Sequence, residues 1–209
     1  MTHEPIPERT RTTRILDVVT VVLLSVTAVI TAWCGFEASK WGGEMSIAFS
    51  QASSARVQAA SAQSTAQAAR QYDLTIYTEW VLAEADGRQA LVRFIEQRFT
   101  PEFEVAFQAW NDGGRAAQGP FVMEEYVPPG TVEADELNAR ADAKFDEALA
   151  NNQRGDDYSL LTVLFALVLF FAALSQHQSA VWRRRTFLAL AGVIAVVGIV
   201  ILLTFPIKI

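Results

Sequence analysis

The 209-residue chain is poor in the residues that catalysis and covalent cross-linking use most. It has one cysteine, Cys34, and two histidines, His3 and His177. A lone cysteine cannot form a disulfide within the chain, and the conventional catalytic and zinc arrangements need more thiol or imidazole groups. The sequence also lacks a phosphate-binding glycine-rich loop, a dinucleotide fingerprint and a nucleophile elbow. We therefore predict a protein that is not an enzyme and expect no catalytic residue, no cofactor and no metal ion.

Alternating strand patterns are missing as well, whereas long apolar runs are plentiful. Hydrophobic residues make up 51% of the chain and charged residues 19%, and the apolar residues are concentrated in three runs, at 15–33, 158–174 and 187–205. Each run is close to the roughly 17–25 residues that a helix needs to cross hydrocarbon. The sequence therefore predicts an all-α integral membrane protein with three transmembrane helices and an extracytoplasmic helical hairpin or bundle between spans 1 and 2.

Charge predicts the orientation of these spans. Arginines cluster before span 1 and between spans 2 and 3, at Arg9, Arg11, Arg14, Arg183, Arg184 and Arg185. The positive-inside bias places both clusters in the cytoplasm and the protein in the plasma (inner) membrane, as a multi-pass chain with a cytoplasmic N-terminus. The predicted segments are a cytoplasmic tail at 1–14, transmembrane helix 1 at 15–34, an acidic extracytoplasmic helical domain at 35–157, transmembrane helix 2 at 158–177, a cytoplasmic basic turn at 178–185, transmembrane helix 3 at 186–205 and an extracytoplasmic tail at 206–209.

The extracytoplasmic segment is strongly acidic. Residues 36–157 contain 20 acidic and 10 basic residues, a formal charge of −10, against −6 for the whole chain. Such a segment repels phosphate, so we expect the lipid bilayer as a partner and no nucleic acid.

Helix signals and breakers organise this segment. Thr100 followed by Pro101 predicts an N-cap and a short helix to Trp110. Glycines and prolines at 111–130 predict the loop at the membrane-distal tip. Thr131 predicts the N-cap of a returning helix, which has the buried stripe Leu137, Ala141, Phe145 and Ala148.

A row of alanines is the most informative pattern. The row, called here the alanine seam, consists of Ala48, Ala52, Ala55, Ala59, Ala62, Ala66 and Ala69, spaced alternately four and three residues apart. This heptad spacing is typical of a closely packed helix interface or coiled coil, and polar residues avoid it. The other interpretation is that alanine fills a helix surface because of its high helix propensity. The partner is either another copy of the chain or the chain's own acidic helix.

A second row of small residues precedes the seam. It contains Ser25, Ala28, Ala32, Gly35, Ser39, Gly42 and Ser46. Small residues in a membrane helix allow close contact with another helix, so Ala28, Ala32 and Gly35 are predicted interface residues. We expect span 1 and the alanine seam to form one nearly continuous helix, interrupted or bent at Gly42 and Gly43.

Asp17 is the only formal charge within the apolar runs. An ionisable residue in a membrane is a candidate for function, here a proton or ion relay. Asp17 lies only three residues after Arg14, so pairing or snorkelling at the headgroup level is the favoured interpretation. Four aromatic residues near the span ends are predicted interfacial anchors: Trp33, Trp41, Tyr158 and Trp182.

The order of these parts resembles a bacterial family of three-span integral membrane proteins known only as a domain of unknown function. The resemblance is one of layout, and its closest matches are Gly155-Asp156-Asp157-Tyr158 at the entry to span 2 and the turn at Trp182-Arg183. The longer segment from Phe103 to Gly130 departs from the family's pattern. The resemblance implies this architecture and a bacterial origin, and it implies no site residues.

Two classes of function agree with these features. The first is a non-enzymatic membrane interaction, scaffold or accessory protein that self-associates as a homo-oligomer or docks an unknown membrane protein through the alanine seam. The alternative is a cation channel or transport component, in which the acidic segments form a cation-attracting vestibule.

Overall fold

The computed structural model describes residues 11–178 and 180–207, with the side chains of residues 11–13 excepted. Its helices, in chain order, are α1 (Arg11–Ala85), α2 (Gln89–Glu96), α3 (Pro101–Asp112), α4 (Thr131–Gln176) and α5 (Val181–Leu202), and a 3-10 turn lies at Pro120–Val122. The described residues contain no strand. Helices α1, α4 and α5 are each long and apolar enough to cross a membrane. The prediction of an all-α protein with three membrane-spanning helices is thus confirmed.

Two compact units divide the chain. Unit 1 contains the described residues up to Ile47 and those from Glu147 onwards, and unit 2 contains Ala48–Asp146. All three apolar runs of the sequence belong to unit 1. Helices α1 and α4 contribute residues to both units.

The long helices continue through positions where we expected breaks. Helix α1 is continuous through Gly42 and Gly43, so the expected interruption is wrong, whereas a bend there stays a prediction. A glycine inside a helix costs only about 1 kcal/mol relative to alanine, which a long packed helix tolerates. The returning helix and span 2 are likewise one helix, because α4 passes through Gly155 without a break. A Cβ at Gly155 would lie 3.5 Å from the Ala38 carbonyl oxygen, which is an ordinary contact distance, so this buried position packs against α1.

Unit 1 has a core that joins α1, α4 and α5. Its buried members are Cys34, Trp41, Tyr158, Leu161, Phe165, Val168, Ala172, Ala191 and Ala195. Gly198 lets α5 approach α4, since a Cβ there would come within 2.6 Å of a Leu164 methyl carbon. Trp41 and Tyr158, expected as interfacial anchors, are core residues instead, whereas Trp33 and Trp182 are exposed.

Unit 2 has an aromatic core. Its buried members are Trp80, Ala83, Val92, Ile95, Phe103, Ala106, Phe107, Trp110 and Tyr126. The Thr100 hydroxyl accepts a hydrogen bond from the Phe103 amide (3.3 Å), which confirms the predicted N-cap of α3, although α3 continues beyond Trp110 to Asp112. The predicted loop also packs here, because the Trp110 indole donates to the Ala117 carbonyl (2.9 Å).

Candidate functional site

The alanine seam of unit 2 packs against helix α4 of the same chain. Ala48, Ala52, Ala55, Ala59 and Ala62 are only 2–7% exposed. Ala59 and Ala62 form a buried cluster with Ala134 and Leu137 of α4. Of the two partners left open by the sequence, the chain's own returning helix therefore occupies this part of the seam.

Close backbone approach explains why the seam consists of alanine. Gly130, just before α4, has a φ of +89°, and a Cβ added to it would overlap the carbonyl oxygen of Ala62. Only glycine fits such a position. Because Gly130 precedes the first residue of α4, Thr131 begins the helix and does not cap it, contrary to prediction.

Side chains at the edges of the seam reinforce this contact. The Arg56 guanidinium donates to Asn138 (2.9 Å) and forms an ion pair with Asp142 on α4. Phe145 was predicted to be part of the buried stripe of α4, but it is 47% exposed and packs edge-on against Phe49, with 5.4 Å between ring centroids. Leu137, Ala141 and Ala148 are buried as predicted.

The seam opens at its far end into a cavity of about 410 Å³. Ala66 and Ala69 are half-buried, because α4 begins at Thr131 and no longer covers them. The cavity has three walls: one face of α1 with Gln63, Ala66, Gln67 and Arg70, one face of α4 with Thr131, Ala134, Asp135 and Asn138, and the preceding loop with Phe121, Tyr126 and Pro128.

A buried carboxylate holds the loop wall in place. Asp73 is 1% exposed and accepts hydrogen bonds from the Tyr126 hydroxyl (2.9 Å) and the Thr100 hydroxyl (2.8 Å). Burial raises the pKa of Tyr126 well above its ordinary value, and the hydrogen bond and negative charge of Asp73 raise it further, while the charge of Arg70 opposes the shift. Sequence reasoning missed Asp73, although it continues the seam spacing four residues after Ala69.

The small-residue row of span 1 faces away from the core of unit 1. Ala28, Ala32 and Gly35 are exposed, so they are not part of an interface within the chain. The buried row is instead Thr20, Thr27, Cys34 and Trp41, seven residues apart and in the same register as the alanine seam. The Thr20 hydroxyl donates to the Leu16 carbonyl (2.7 Å), which satisfies this polar group inside the unit.

Asp17 pairs with a residue of another helix. Its carboxylate accepts a hydrogen bond from the Arg184 guanidinium of α5 at 2.6 Å. The Arg184 side chain is 11% exposed, and that of Asp17 is 37% exposed. Arg183 and Arg185 are exposed within the first turns of α5, which begins before the end of the predicted basic turn. The predicted topology residues Arg9 and the side chain of Arg11 lie outside the described residues.

Sequence reasoning also missed Glu37, a fully buried acid of unit 1. It lies one turn from both Cys34 and Trp41 on the buried face of α1. The Arg154 guanidinium of α4 stands over the Trp41 ring, 4.7 Å from its centroid. Glu37 was overlooked because it falls just beyond the apolar run, but its spacing from the buried row could have identified it.

The part of the chain that the structure describes contains no group of three or more histidine, cysteine or acidic side chains placed to hold a metal ion.

The three apolar helices of the fold define a class, that of all-α multi-pass membrane proteins. Comparison with protein-family models, curated proteins and solved structures gives no significant match. The resemblance to the bacterial three-span family therefore stays a prediction.

Proposed function

We propose that this chain is a non-enzymatic interaction protein of a bacterial plasma membrane, a scaffold or accessory subunit that self-associates through α1. The surface involved is the outer row, defined here as Ser25, Ala28, Ala32, Gly35 and Ser39. This proposal replaces the alanine seam by the outer row as the contact between copies, because α4 already covers most of the seam.

The observation that carries the proposal is the exposure of the outer row in unit 1. All five residues are exposed, and a Cβ at Gly35 would meet no atom within 4 Å. Lipid and side chains attract a membrane helix about equally, so helices associate where small residues let their backbones approach closely. The outer row supplies such a surface over about four helical turns, and no described residue of the same chain covers it.

The proposed orientation places the N-terminus in the cytoplasm and residues 35–157 outside it. The hydrogen bond between Asp17 and Arg184 supports this, because it brings the start of α1 and the start of α5 to the same end of unit 1. Both arginine clusters then belong to one side of the membrane, the side that the positive-inside bias assigns to the cytoplasm.

The cation-channel alternative receives no such support. It combines the acidic vestibule with a conduction path, for which Asp17 is the one charged candidate within the apolar runs. With the Arg184 guanidinium beside it, that carboxylate attracts a cation much less. We therefore extend only the interaction hypothesis.

The experiment measures the mass of the full chain in lipid nanodiscs or mild detergent by native mass spectrometry. We expect a homo-oligomer for the wild type and a shift toward monomer for the triple variant Ala28→Leu, Ala32→Leu, Gly35→Leu, because leucine holds the helices apart. The matched control is Val22→Leu, Val26→Leu, Val29→Leu, which has the same spacing on another exposed face of α1 and should leave the mass unchanged. A monomeric wild type, or an unchanged oligomer in the first variant, contradicts the proposal.

A further inference from the structure

The cavity at the far end of the alanine seam has walls of opposite charge and a volume that suits a small molecule. Its volume of about 410 Å³ lies within the range of small-molecule sites, roughly 300–1,000 Å³. On α1 and on α4 the lining residues follow the spacing i, i+3, i+4, i+7, so each helix turns one complete face toward the cavity. Each face contributes one small residue to the lining, Ala66 on α1 and Ala134 on α4.

Two opposite charges face this cavity from different helices. Arg70 belongs to the α1 wall and Asp135 to the α4 wall. Among the residues that the structure describes, neither side chain forms an ion pair or a hydrogen bond. Arg56 of α1 and Asp142 of α4, at the other end of the seam contact, do form an ion pair. The two charges therefore line one space without pairing with each other.

The remaining walls favour a ligand with both polar and apolar parts. Gln63 and Gln67 add amide groups that can donate and accept hydrogen bonds, and Asn138, whose oxygen already accepts from Arg56, adds an amide donor. Phe121 and Tyr126 supply aromatic surface, and Tyr126 is held by the buried Asp73. Arg70 acts on this wall, since its positive charge opposes the rise in the pKa of Tyr126 that burial and Asp73 cause.

We propose that the cavity binds a small zwitterion of the amino-acid or short-peptide class, whose carboxylate binds Arg70 and whose ammonium group binds Asp135. A ligand with only one charge would leave the opposite wall charge without a counterion. Guanidinium binds carboxylate through two parallel hydrogen bonds, and an aspartate accepts from an ammonium group, so both contacts are charge-assisted. This site is independent of the outer row and of any self-association.

The test titrates the full chain, in detergent, with the twenty L-amino acids and the twenty dipeptides alanyl-X, by isothermal titration calorimetry and thermal shift. We expect at least one of these probes to bind. Acetylation of the amino group or amidation of the carboxylate of that probe should weaken binding at least tenfold.

Variants locate the site. Arg70→Gln and Asp135→Asn should each weaken binding at least tenfold, and Ala66→Leu should abolish it by filling the cavity. Arg93→Gln and Asp112→Asn make the same charge changes at exposed positions outside the cavity and should bind like wild type. Because Arg70 and Asp135 are exposed, their variants should fold, which circular dichroism checks. Failure of every probe to bind, or equal binding by the blocked probes or by the Arg70 and Asp135 variants, overturns the proposal.

Discussion

The two units use the same heptad register of α1 in opposite ways. In unit 2 the smallest residues, the alanines of the seam, face inward and polar residues face outward. In unit 1 the inward positions hold Thr20, Thr27, Cys34 and Trp41, and the small residues of the outer row face outward. In water, burying alanine removes apolar surface from solvent and permits close packing. For a helix in lipid an exposed alanine has no such cost, so small residues there need not face the core.

One buried polar group of each unit shows two ways of satisfying such groups. In unit 1 the Thr20 hydroxyl bonds to its own helix, at the carbonyl four residues earlier. In unit 2 the Asp73 carboxylate is satisfied by hydroxyls from two other segments, the cap of α3 and the loop at Tyr126. The first kind of contact satisfies the hydroxyl within its own helix and joins no distant segment. The second fixes distant segments of the chain relative to each other, here around the cavity.

The largest expected effect tests which face of α1 is packed. The triple variant Ala55→Leu, Ala59→Leu, Ala62→Leu should destabilise unit 2 by about 1–3 kcal/mol per substitution, because the seam has no room for larger side chains. Chemical unfolding followed by the fluorescence of Trp80 and Trp110 measures this effect. The outer-row variant Ala28→Leu, Ala32→Leu, Gly35→Leu serves as the comparison, and its unit 2 should unfold as in wild type. Equal stability of the two variants would mean that the seam is not a packed interface.

A smaller effect is expected from the ion pair of unit 1. Asp17→Asn should lower the free energy of unfolding by about 1–3 kcal/mol, because Arg184 is largely buried and loses its counterion. Thermal unfolding in detergent measures the change. Arg183→Gln removes an exposed charge one residue away and should change stability by less than about 0.5 kcal/mol. If Asp17→Asn unfolds at the wild-type temperature, the pair has no structural role.

The smallest effect concerns the buried carboxylate of unit 2. Tyr126→Phe removes one hydrogen bond to Asp73 and should cost about 1.5 kcal/mol near neutral pH, because the Thr100 hydroxyl still donates to the same carboxylate. The folded protein binds the Tyr126 proton more tightly than the unfolded chain, because the pKa is raised. This stabilisation is complete below the ordinary tyrosine pKa of about 10 and declines as the pH rises above it.

Unfolding of unit 2 between pH 8 and pH 11 therefore distinguishes the two proteins. The wild type should lose stability more steeply above pH 10 than Tyr126→Phe does. Tyr77, whose pKa is also raised by burial, contributes the same slope in both proteins and so cancels in the comparison. Parallel pH profiles would show that Tyr126 is not held neutral by its surroundings.

Much of the fold could be predicted because its signals are local. The three apolar runs, the Thr100 cap and the alanine spacing each depend on neighbouring residues in sequence, and the structure has all three. The errors arose where a distant segment decides. Gly42 and Gly43 do not interrupt α1. The face of α1 that packs against α4 and α5 is a different one from that of Ala28, Ala32 and Gly35, which are exposed.

The cavity could not have been predicted, since no local pattern distinguishes Arg70 or Asp135 from other surface charges. It exists because α4 begins at Thr131, two helical turns short of the end of the alanine row, and because the loop folds back so that Tyr126 reaches Asp73. The two buried acids, Glu37 and Asp73, could not be predicted from local sequence either. Glu37 and Asp73 have the spacing of core positions, but only their surroundings make a charged residue acceptable there.

By itself the sequence determined the class of this protein. Runs of about 17–20 apolar residues predict membrane-spanning helices, and alanines at heptad spacing predict a closely packed helix face. The tertiary structure alone decided the partners: α4 for the alanine seam, Arg184 for Asp17, Tyr126 and Thr100 for Asp73. The reason is physical. Periodicity specifies which face of a helix is suited to burial, whereas the energy that selects a partner comes from close packing and hydrogen bonds between residues far apart in the chain.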